Sequence, residues 1–183
     1  MMMISGISLS QLSTTNPDTV CYQSTTLSTY TVPSVGTGTY TWAVASPGVI
    51  TTGQGTNSIS VNWSTASPGL ITNGISVTFT STAGCPATPV NLNVLIYQII
   101  PTITAIGPFC ESDPCVTLVG TPTGGTWSGL GVSGNQFCPD NVANGTNATS
   151  TVTYTVGSAG CTFSTSVVVP VFGTPTLQPI QHN

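Results

Sequence analysis

Short runs in which apolar and polar residues alternate constrain the fold of this chain more than any other feature of its sequence. Because successive side chains of a strand point to opposite faces of a sheet, alternation with a period of two predicts half-buried β-strands. Three runs show it: Tyr40, Trp42 and Val44; Ile59, Val61 and Trp63; and Ile75, Val77 and Phe79.

Turn signals and longer apolar stretches complete the predicted pattern. Asn73-Gly74 lies between two apolar pairs and predicts a tight hairpin. Residues 90–100 form a longer apolar strand that Pro101 ends, and a second set of strands is predicted at residues 116–119, 152–156 and 167–171. This spacing predicts an all-β fold of two tandem β-sandwich domains, at residues 15–100 and 101–172.

Charged residues are almost absent, and this excludes several classes of function. The 183 residues include no Lys or Arg, four Asp or Glu and one His. Because fixed cations are needed to neutralise phosphates, we expect no nucleic-acid partner and no attraction to anionic lipid. Acid–base and Schiff-base chemistry need His, Lys or paired carboxylates, and the only His is His182, near the end. The sequence predicts a protein that is not an enzyme and binds no cofactor.

Six cysteines indicate how the domains are stabilised. No CxxC pair occurs and no His lies near the cysteines in sequence, so a zinc site is a poor interpretation. Disulfides formed in an oxidising compartment are the better one, and they predict an extracellular location. Residues 1–6 lack the features of a signal peptide, and no run of about 18 apolar residues is present that could insert into a membrane. An exported protein would therefore contain this chain as a mature piece or an excerpt.

A short motif follows the last strand of each predicted domain. Pro101-Thr102-Ile103-Thr104-Ala105-Ile106 and Pro175-Thr176-Leu177-Gln178-Pro179-Ile180 share the pattern P-T-[I/L]-x-x-I. The first copy leads into the second domain, so the second predicts that residues 173–183 begin a following repeat of a tandem array. Residues 1–14 are expected to be the end of a preceding unit or an extension. Chance similarity is the alternative in a chain so rich in Thr and Pro.

Longer motifs resemble two kinds of surface repeat. In the first domain, Tyr40-Thr41-Trp42, Gly53-Gln54-Gly55-Thr56-Asn57-Ser58-Ile59-Ser60-Val61-Asn62-Trp63 and Ala83-Gly84-Cys85 are similar to the PKD-like repeat. In the second, Gly124-Gly125-Thr126-Trp127-Ser128-Gly129 and Gly160-Cys161 resemble the Ig-like repeats that accompany it. Both kinds occur in very large surface adhesins of gliding bacteria, which are exported by the type IX secretion system. The resemblance covers residues 21–172, and it implies a fold and a cell-surface location but no ligand.

The domain boundary and the resemblance together imply a disulfide map. The boundary near Pro101 leaves two cysteines in the first domain, which are expected to pair. The Ig-like repeat usually has one cysteine pair, and the two additional cysteines of this chain are expected to bond to each other. The expected pairs are Cys21 with Cys85, Cys110 with Cys161, and Cys115 with Cys138.

Glu111, Asp113 and Asp140 are the candidate metal ligands, and calcium is the cation that prefers such oxygens. If Cys115 and Cys138 face each other across antiparallel strands, the same register places Asp113 opposite Asp140, and a cation would relieve their repulsion. A proline beside each cysteine weakens this register, because proline cannot donate to a ladder. A solvated loop without metal is therefore favoured, with calcium as the alternative.

Three further residues are candidates for contact or modification. Trp127 is flanked by glycines and is the candidate ligand contact, since an aromatic face can stack on a sugar ring, although packing is the favoured interpretation. Trp42 and Trp63 are expected to be core residues. Asp18-Thr19-Val20 resembles the O-glycosylation sequon of the same gliding bacteria, which makes Thr19 a candidate glycosylation site. His182 is expected to be a solvated tail residue.

These observations predict a non-catalytic structural repeat of an extracellular cell-surface adhesin or filament, a disulfide-stapled rod that projects or forms an adhesive surface. Its expected partners are neighbouring repeats of the same polypeptide, other copies of the chain and surface glycans. One alternative is a carbohydrate-binding module of a secreted glycan-degrading protein, which needs an exposed aromatic row or a polar groove. Another is a filament subunit that assembles by strand donation, with residues 1–11 or the tail after Gly173 ordered against another copy.

Overall fold

The computed structural model describes residues 17–143, 145–175, 179 and 182. The chain forms two compact units, Met1–Gln98 and Ile99–Asn183. Within the described residues all regular structure is β-strand, apart from one 3-10 helix at Pro139–Asn141. The predicted all-β fold is therefore confirmed. The expected preceding unit at residues 1–14, most of the second proline–threonine motif and the segment 1–11 proposed for strand donation lie outside the described residues.

In residues 17–98, the described part of unit 1, seven strands form two sheets. One sheet has the order β1-β7-β6-β3 and the other β2-β5-β4, with β1 parallel to β7 and all other neighbours antiparallel. The strands are β1 (Asp18–Cys21), β2 (Ser28–Thr31), β3 (Gly38–Val44), β4 (Val49–Thr52), β5 (Ser58–Asn62), β6 (Gly69–Ser81) and β7 (Val90–Tyr97).

The alternating runs of the sequence form the core of unit 1. Side chains from β3, β5 and β6 meet those of β1, β2 and β7 in one cluster between the two sheets, as the period of two predicts. Trp42 and Trp63 are 4% and 2% exposed, which confirms them as core residues. Fully burying a side chain of this size contributes roughly 1.5–3 kcal/mol, so this cluster is the main source of stability in unit 1.

The predicted hairpin at Asn73-Gly74 is wrong. β6 continues through these residues, and its register with β7 shifts between Ile71 and Ile75, which makes the site an irregularity within one strand. Asn73 adopts a φ of 50°, and its N–H donates to Oδ1 of the buried Asn93 at 2.8 Å. At Gly74 a Cβ would lie 2.9 Å from Cγ2 of Val94, so glycine permits the close approach of β7.

A buried tyrosine ties the two sheets of unit 1 together. Tyr30, on β2, donates its hydroxyl hydrogen to Oδ2 of Asp18 on β1 at 2.8 Å. The same hydroxyl accepts a hydrogen bond from Nε1 of the buried Trp63 at 3.1 Å. Burial raises the pKa of Tyr30 well above its usual range, and the neighbouring Asp18 carboxylate raises it further.

The residues of unit 2 that the structure describes form nine strands in three sheets. Their orders are β12-β15-β16-β9, β10-β14-β13 and β11-β8, and β9 runs parallel to the end of β16. The strands are β8 (Thr102–Ile103), β9 (Phe109–Cys110), β10 (Val116–Thr117), β11 (Gly120–Thr121), β12 (Thr126–Ser128), β13 (Val132–Ser133), β14 (Gln136–Phe137), β15 (Ala148–Ser158) and β16 (Cys161–Phe172).

The long hairpin of β15 and β16 is the framework of unit 2. Its two-residue turn is Ala159-Gly160, both at positive φ (52° and 79°), which suits the right-handed twist of the strands. Val152 on β15 and Val169 and Val171 on β16 are fully buried and pack in one cluster with Phe137 of β14. The strands predicted at residues 152–156 and 167–171 are therefore parts of longer strands, the centre of β15 and the C-terminal half of β16.

Two of the three expected disulfide pairs are wrong, because Cys85 and Cys110 carry free, exposed thiols. In the β1–β7 ladder Cys21 lies opposite Tyr97, at the end of β7. Cys85 lies in the turn between β6 and β7, before the start of β7. From Val90 to Tyr97, β7 alone spans about 23 Å, far beyond the roughly 7 Å between Cα atoms that a disulfide allows.

The same geometry separates Cys110 from Cys161. Cys110 lies opposite Phe172 at the end of β16, and Cys161 is the first residue of that strand. Twelve residues of extended chain place these positions about 36 Å apart. Cys21 and Cys161 are disulfide-bonded, but not to the partners expected from the sequence.

The Tyr30 network predicts a specific loss of stability in unit 1. Tyr30→Phe leaves the indole N–H of Trp63 buried without its acceptor, which should cost about 1–3 kcal/mol in urea unfolding at pH 7. Tyr22→Phe is the matched control, because among the described residues the hydrogen bond found for the Tyr22 hydroxyl is an exposed one, which it accepts from Gln23 at 3.5 Å. Equal losses in both variants would contradict the structural role of Tyr30.

The raised pKa of Tyr30 also predicts the pH dependence of this loss. A group with a raised pKa in the folded state stabilises fully below its unfolded pKa, here about 10, and its contribution falls as pH rises above that value. The stability difference between wild type and Tyr30→Phe should therefore shrink above about pH 10. A difference that grew with pH would show that the sign of the coupling is wrong.

Candidate functional site

A disulfide closes a loop in unit 2 that is flanked by acidic residues, Glu111 and Asp113 before it and Asp140 after it. Cys115 and Cys138 are bonded with a Cα–Cα distance of 4.1 Å, and they are the pair expected from the sequence. The bridge follows the ladder of β10 and β14, in which Val116 pairs with Phe137. It therefore links the two strands at the next position of the same antiparallel register.

The expected opposition of Asp113 and Asp140 does not follow, because the ladder ends at the bridge. Pro139 begins the 3-10 helix directly after Cys138, so Asp140 lies in a helical turn instead of a strand. Asp113 instead accepts the backbone N–H of Cys110 at 2.7 Å through Oδ2. Its own N–H donates to the carbonyl oxygen of Cys110 at 3.0 Å, so this carboxylate closes a local turn.

Among the described residues, the candidate ligands Glu111, Asp113 and Asp140 do not form a three-residue cluster. The group of potential ligands that comes together is Cys115, Cys138 and Asp140, within 4.8 Å of one another. Both sulfurs of that group are bonded to each other, so neither offers the thiolate that binds a metal. The carboxylates of Asp113 and Glu111 instead accept hydrogen bonds from backbone N–H groups, and the calcium alternative stays a prediction.

Glu111 connects three segments of unit 2. Both carboxylate oxygens accept the N–H of Gly145 at 3.1 Å, and Oε2 also accepts the N–H of Thr174 at 3.3 Å. The N–H of Glu111 itself donates to the carbonyl oxygen of Phe172 at 2.8 Å. The side chain therefore holds the loop before β15 and the segment after β16 against β9. Sequence reasoning treated Glu111 as a candidate metal ligand, with a solvated loop as the favoured interpretation, and missed this role.

Trp127 lines an open cleft of about 570 Å³ on unit 2. Its ring is half-buried and packs against the ring of Tyr154, with centroids 4.4 Å apart and planes inclined by 34°. Trp127 and Tyr154 are direct partners in the β12–β15 ladder. The ring thus packs against Tyr154 and also contributes to the wall of the cleft, and ligand contact by Trp127 stays a prediction.

Tyr154 shapes the glycine-rich wall of this cleft. Its hydroxyl accepts the N–H of Gly125 at 2.9 Å and donates to the carbonyl oxygen of Pro122 at 2.6 Å. A Cβ at Gly120 or Gly125 would lie 2.6 or 2.5 Å from the Tyr154 ring, so both positions require glycine. The cleft is also lined by Thr123, Thr126 and Asn135, whose polar groups are uncharged. Tyr154, 27 residues beyond Trp127, gave no signal in the sequence.

The two remaining candidate residues, Thr19 and His182, both lie at least partly exposed at the surface. Thr19 is half-buried in β1 beside Leu95 of β7, and it alternates with the buried Val20, so its side chain lies on the outer face of the sheet. Glycosylation of Thr19 stays a prediction. His182 is exposed. In the part of the chain that the structure describes, there is no helix with the length and apolar character needed to span a membrane.

Comparison with known families supports the architecture of unit 1. The model of the PKD-like domain matches residues 9–94, which cover almost all of the first sandwich. A search of curated proteins found no match to this chain. The resemblance of residues 21–85 to a PKD-like repeat is therefore confirmed at the level of the domain.

The Cys115–Cys138 bridge predicts a measurable contribution to the stability of unit 2. The bond joins residues 23 apart in sequence, and loop-closure entropy for such a loop corresponds to about 3 kcal/mol. The double variant Cys115→Ser/Cys138→Ser should lower the free energy of unfolding of unit 2 by that amount in urea without reductant. Cys85→Ser/Cys110→Ser is the matched control, because both residues are exposed free thiols. Indistinguishable midpoints for the two double variants would contradict the assignment.

Proposed function

We propose that the chain is a non-catalytic structural repeat of an extracellular cell-surface adhesin or filament, in which disulfide-stapled sandwiches act as spacers. The resemblance of its motifs to repeats of large adhesins of gliding bacteria supports display through the type IX secretion system. The match of residues 9–94 to the PKD-like domain supports the coarser part of this proposal, a structural module.

One observation carries the proposal: the acidic side chains of the chain support its own backbone and core. Of the four acids, Asp18 accepts the buried Tyr30 hydroxyl, Glu111 accepts two backbone N–H groups, and Asp113 accepts the N–H of Cys110. An active site instead keeps such groups directed into a cleft with perturbed pKa values. The use of three of four carboxylates in internal contacts is therefore typical of a structural protein.

The disulfide and the charge composition support an extracellular setting. The Cys115–Cys138 bond persists in oxidising compartments, outside the reducing cytosol. A chain without Lys or Arg offers no site to trypsin-like proteases, which suits a protein exposed to them.

Surface display is tested with antibodies against the chain on intact cells of the source organism. We expect labelling without permeabilisation, loss of labelling after proteinase K, and retention after trypsin, because the chain lacks tryptic sites. An antibody against a cytosolic protein serves as the control for cell integrity. Labelling that requires permeabilisation would reject the proposal.

A second candidate function is favoured by the cleft at Trp127. Its lining combines a half-buried tryptophan with glycine backbone, hydroxyls and an amide, and it has no charged side chain. Such a surface suits a neutral oligosaccharide, because an aromatic ring stacks on the apolar face of a sugar while hydroxyls and amides bind its OH groups. In this reading the chain is a carbohydrate-binding module.

Glycan binding is tested by titrating neutral oligosaccharides and following tryptophan fluorescence and heat of binding. Trp127→Ala should weaken binding by about tenfold or more, corresponding to at least about 1.4 kcal/mol. Leu130→Ala is the control, since Leu130 is 60% exposed and is not part of the cleft lining. Absence of binding to the wild type, or equal affinities of the two variants, would remove this candidate.

A further inference from the structure

Each unit carries one cysteine near each end of its last strand. Cys21 lies on β1 opposite the end of β7, and Cys110 lies on β9 opposite the end of β16. These two are called the strand-end cysteines. Cys85 and Cys161 lie in or directly after the turn that precedes β7 and β16, and are called the hairpin cysteines. The two units therefore repeat one arrangement of sulfur atoms.

The strand-end cysteines have the same backbone environment. The residue after Cys21 donates its N–H to the carbonyl oxygen of Tyr97 at 2.8 Å, and the residue after Cys110 donates to Phe172 at 2.8 Å. Three residues after each cysteine, the N–H donates back to the cysteine carbonyl at 3.0 Å, from Ser24 in unit 1 and Asp113 in unit 2. These contacts hold both positions in one geometry.

The hairpin cysteines are equivalent as well. Each is the last residue of an Ala-Gly-Cys tripeptide, at residues 83–85 and 159–161. The glycine before the cysteine adopts a φ of 81° in Gly84 and 79° in Gly160. The two turns therefore present their cysteines after the same left-handed glycine.

Of these four cysteines, one of each kind is oxidised and one of each kind is a free thiol. One strand-end cysteine, Cys21, and one hairpin cysteine, Cys161, are disulfide-bonded. The other strand-end cysteine, Cys110, and the other hairpin cysteine, Cys85, are free and exposed. The chain thus retains one reactive sulfur of each kind, at positions whose equivalents are oxidised.

We propose that Cys110 of one copy and Cys85 of a second copy form an intermolecular disulfide, which links copies of this chain covalently. The bond joins a strand-end cysteine to a hairpin cysteine, the two kinds that are oxidised elsewhere in the chain. Because every copy has one sulfur of each kind, the linkage propagates in one direction. The expected product is a covalent oligomer in which every bond joins Cys110 of one copy to Cys85 of the next.

The local structure suits such a bond. The backbone of Cys110 is held by Asp113 and by β16, and the backbone of Cys85 exchanges hydrogen bonds with Ser81, whose Oγ accepts the Cys85 N–H at 3.3 Å. Both thiols are therefore exposed on ordered backbone. With no Lys or Arg and a single His in the chain, selectivity must come from shape and position and not from charge pairing.

The reaction requires a disulfide oxidant, here glutathione disulfide. One protein thiol loses its proton to solvent, and its thiolate attacks the oxidant, forming a mixed disulfide and releasing one glutathione thiolate. The second protein thiolate then attacks the protein sulfur of that mixed disulfide and releases the second glutathione thiolate. Two protein thiols are oxidised, one glutathione disulfide is reduced to two glutathione molecules, and the released thiolates take up the two protons.

The test uses the full chain and its single variants Cys85→Ser and Cys110→Ser in a glutathione redox buffer, analysed by non-reducing electrophoresis. Wild type should form a ladder of oligomers that collapses on reduction. Each variant alone should stay monomeric. A mixture of the two variants should give a dimer and no larger species, because it contains only one complementary pair of thiols. Circular dichroism checks that both variants are folded.

Mass spectrometry identifies the bond in that mixture. With one variant labelled with ¹⁵N, the dimer should contain one heavy and one light chain, and a peptic digest should contain the Cys110–Cys85 cross-link. Pepsin is used because trypsin has no site in the chain. In urea the preference should disappear, since random oxidation joins like cysteines as readily as unlike ones.

Three outcomes would overturn the proposal. The first is homodimerisation of each variant as efficiently as dimerisation of the mixture. The second is wild type that remains monomeric, with both thiols reduced or carrying glutathione. The third is a bond between Cys85 and Cys110 of the same molecule. None of these outcomes bears on surface display, because the linkage depends only on the two-unit fold, so failure here leaves the proposed function to its own test.

Discussion

In each unit a short edge strand pairs in parallel with the end of the last strand, β1 with β7 and β9 with β16. The rest of this structure depends on this pairing. It places Asp18 where its carboxylate reaches Tyr30, and it places Glu111 where it reaches Thr174. It also sends the cysteine of that strand to the far end of the sheet from the hairpin cysteine. A disulfide between these two cysteines of one unit is then excluded by strand length alone.

The core of both units could be predicted from the sequence because a period of two translates directly into one buried face. Trp42, Trp63 and Val152 were placed correctly for this reason. The signal at Asn73-Gly74 failed because a positive φ serves a hairpin and a strand irregularity equally well. The choice between them depends on two residues about 20 positions away. Asn93 accepts the N–H of Asn73, and Val94 packs closely against Gly74.

The candidate sites were less predictable, because they depend on contacts between distant segments. The cysteine pairs were assigned by counting within domains, which ignores the length of β7 and β16. Cys115–Cys138 succeeded because its two residues continue a real ladder, and the extension to Asp140 failed because Pro139 starts a helical turn. Trp127 stood out by its glycine neighbours, but Tyr154, which orders those glycines, was indistinguishable from any other strand tyrosine.

In a chain without Lys or Arg, the carboxylate of Glu111 is stabilised by neutral hydrogen-bond donors instead of by an ion pair. Its carboxylate is satisfied by the N–H groups of Gly145 and Thr174 and by a threonine hydroxyl at 3.4 Å, all of them neutral donors. Dissolved ions screen the attraction between separated full charges far more than a short hydrogen bond to a backbone dipole. The closure of unit 2 around this residue should therefore depend little on ionic strength, so the unit should keep its shape from fresh water to brine.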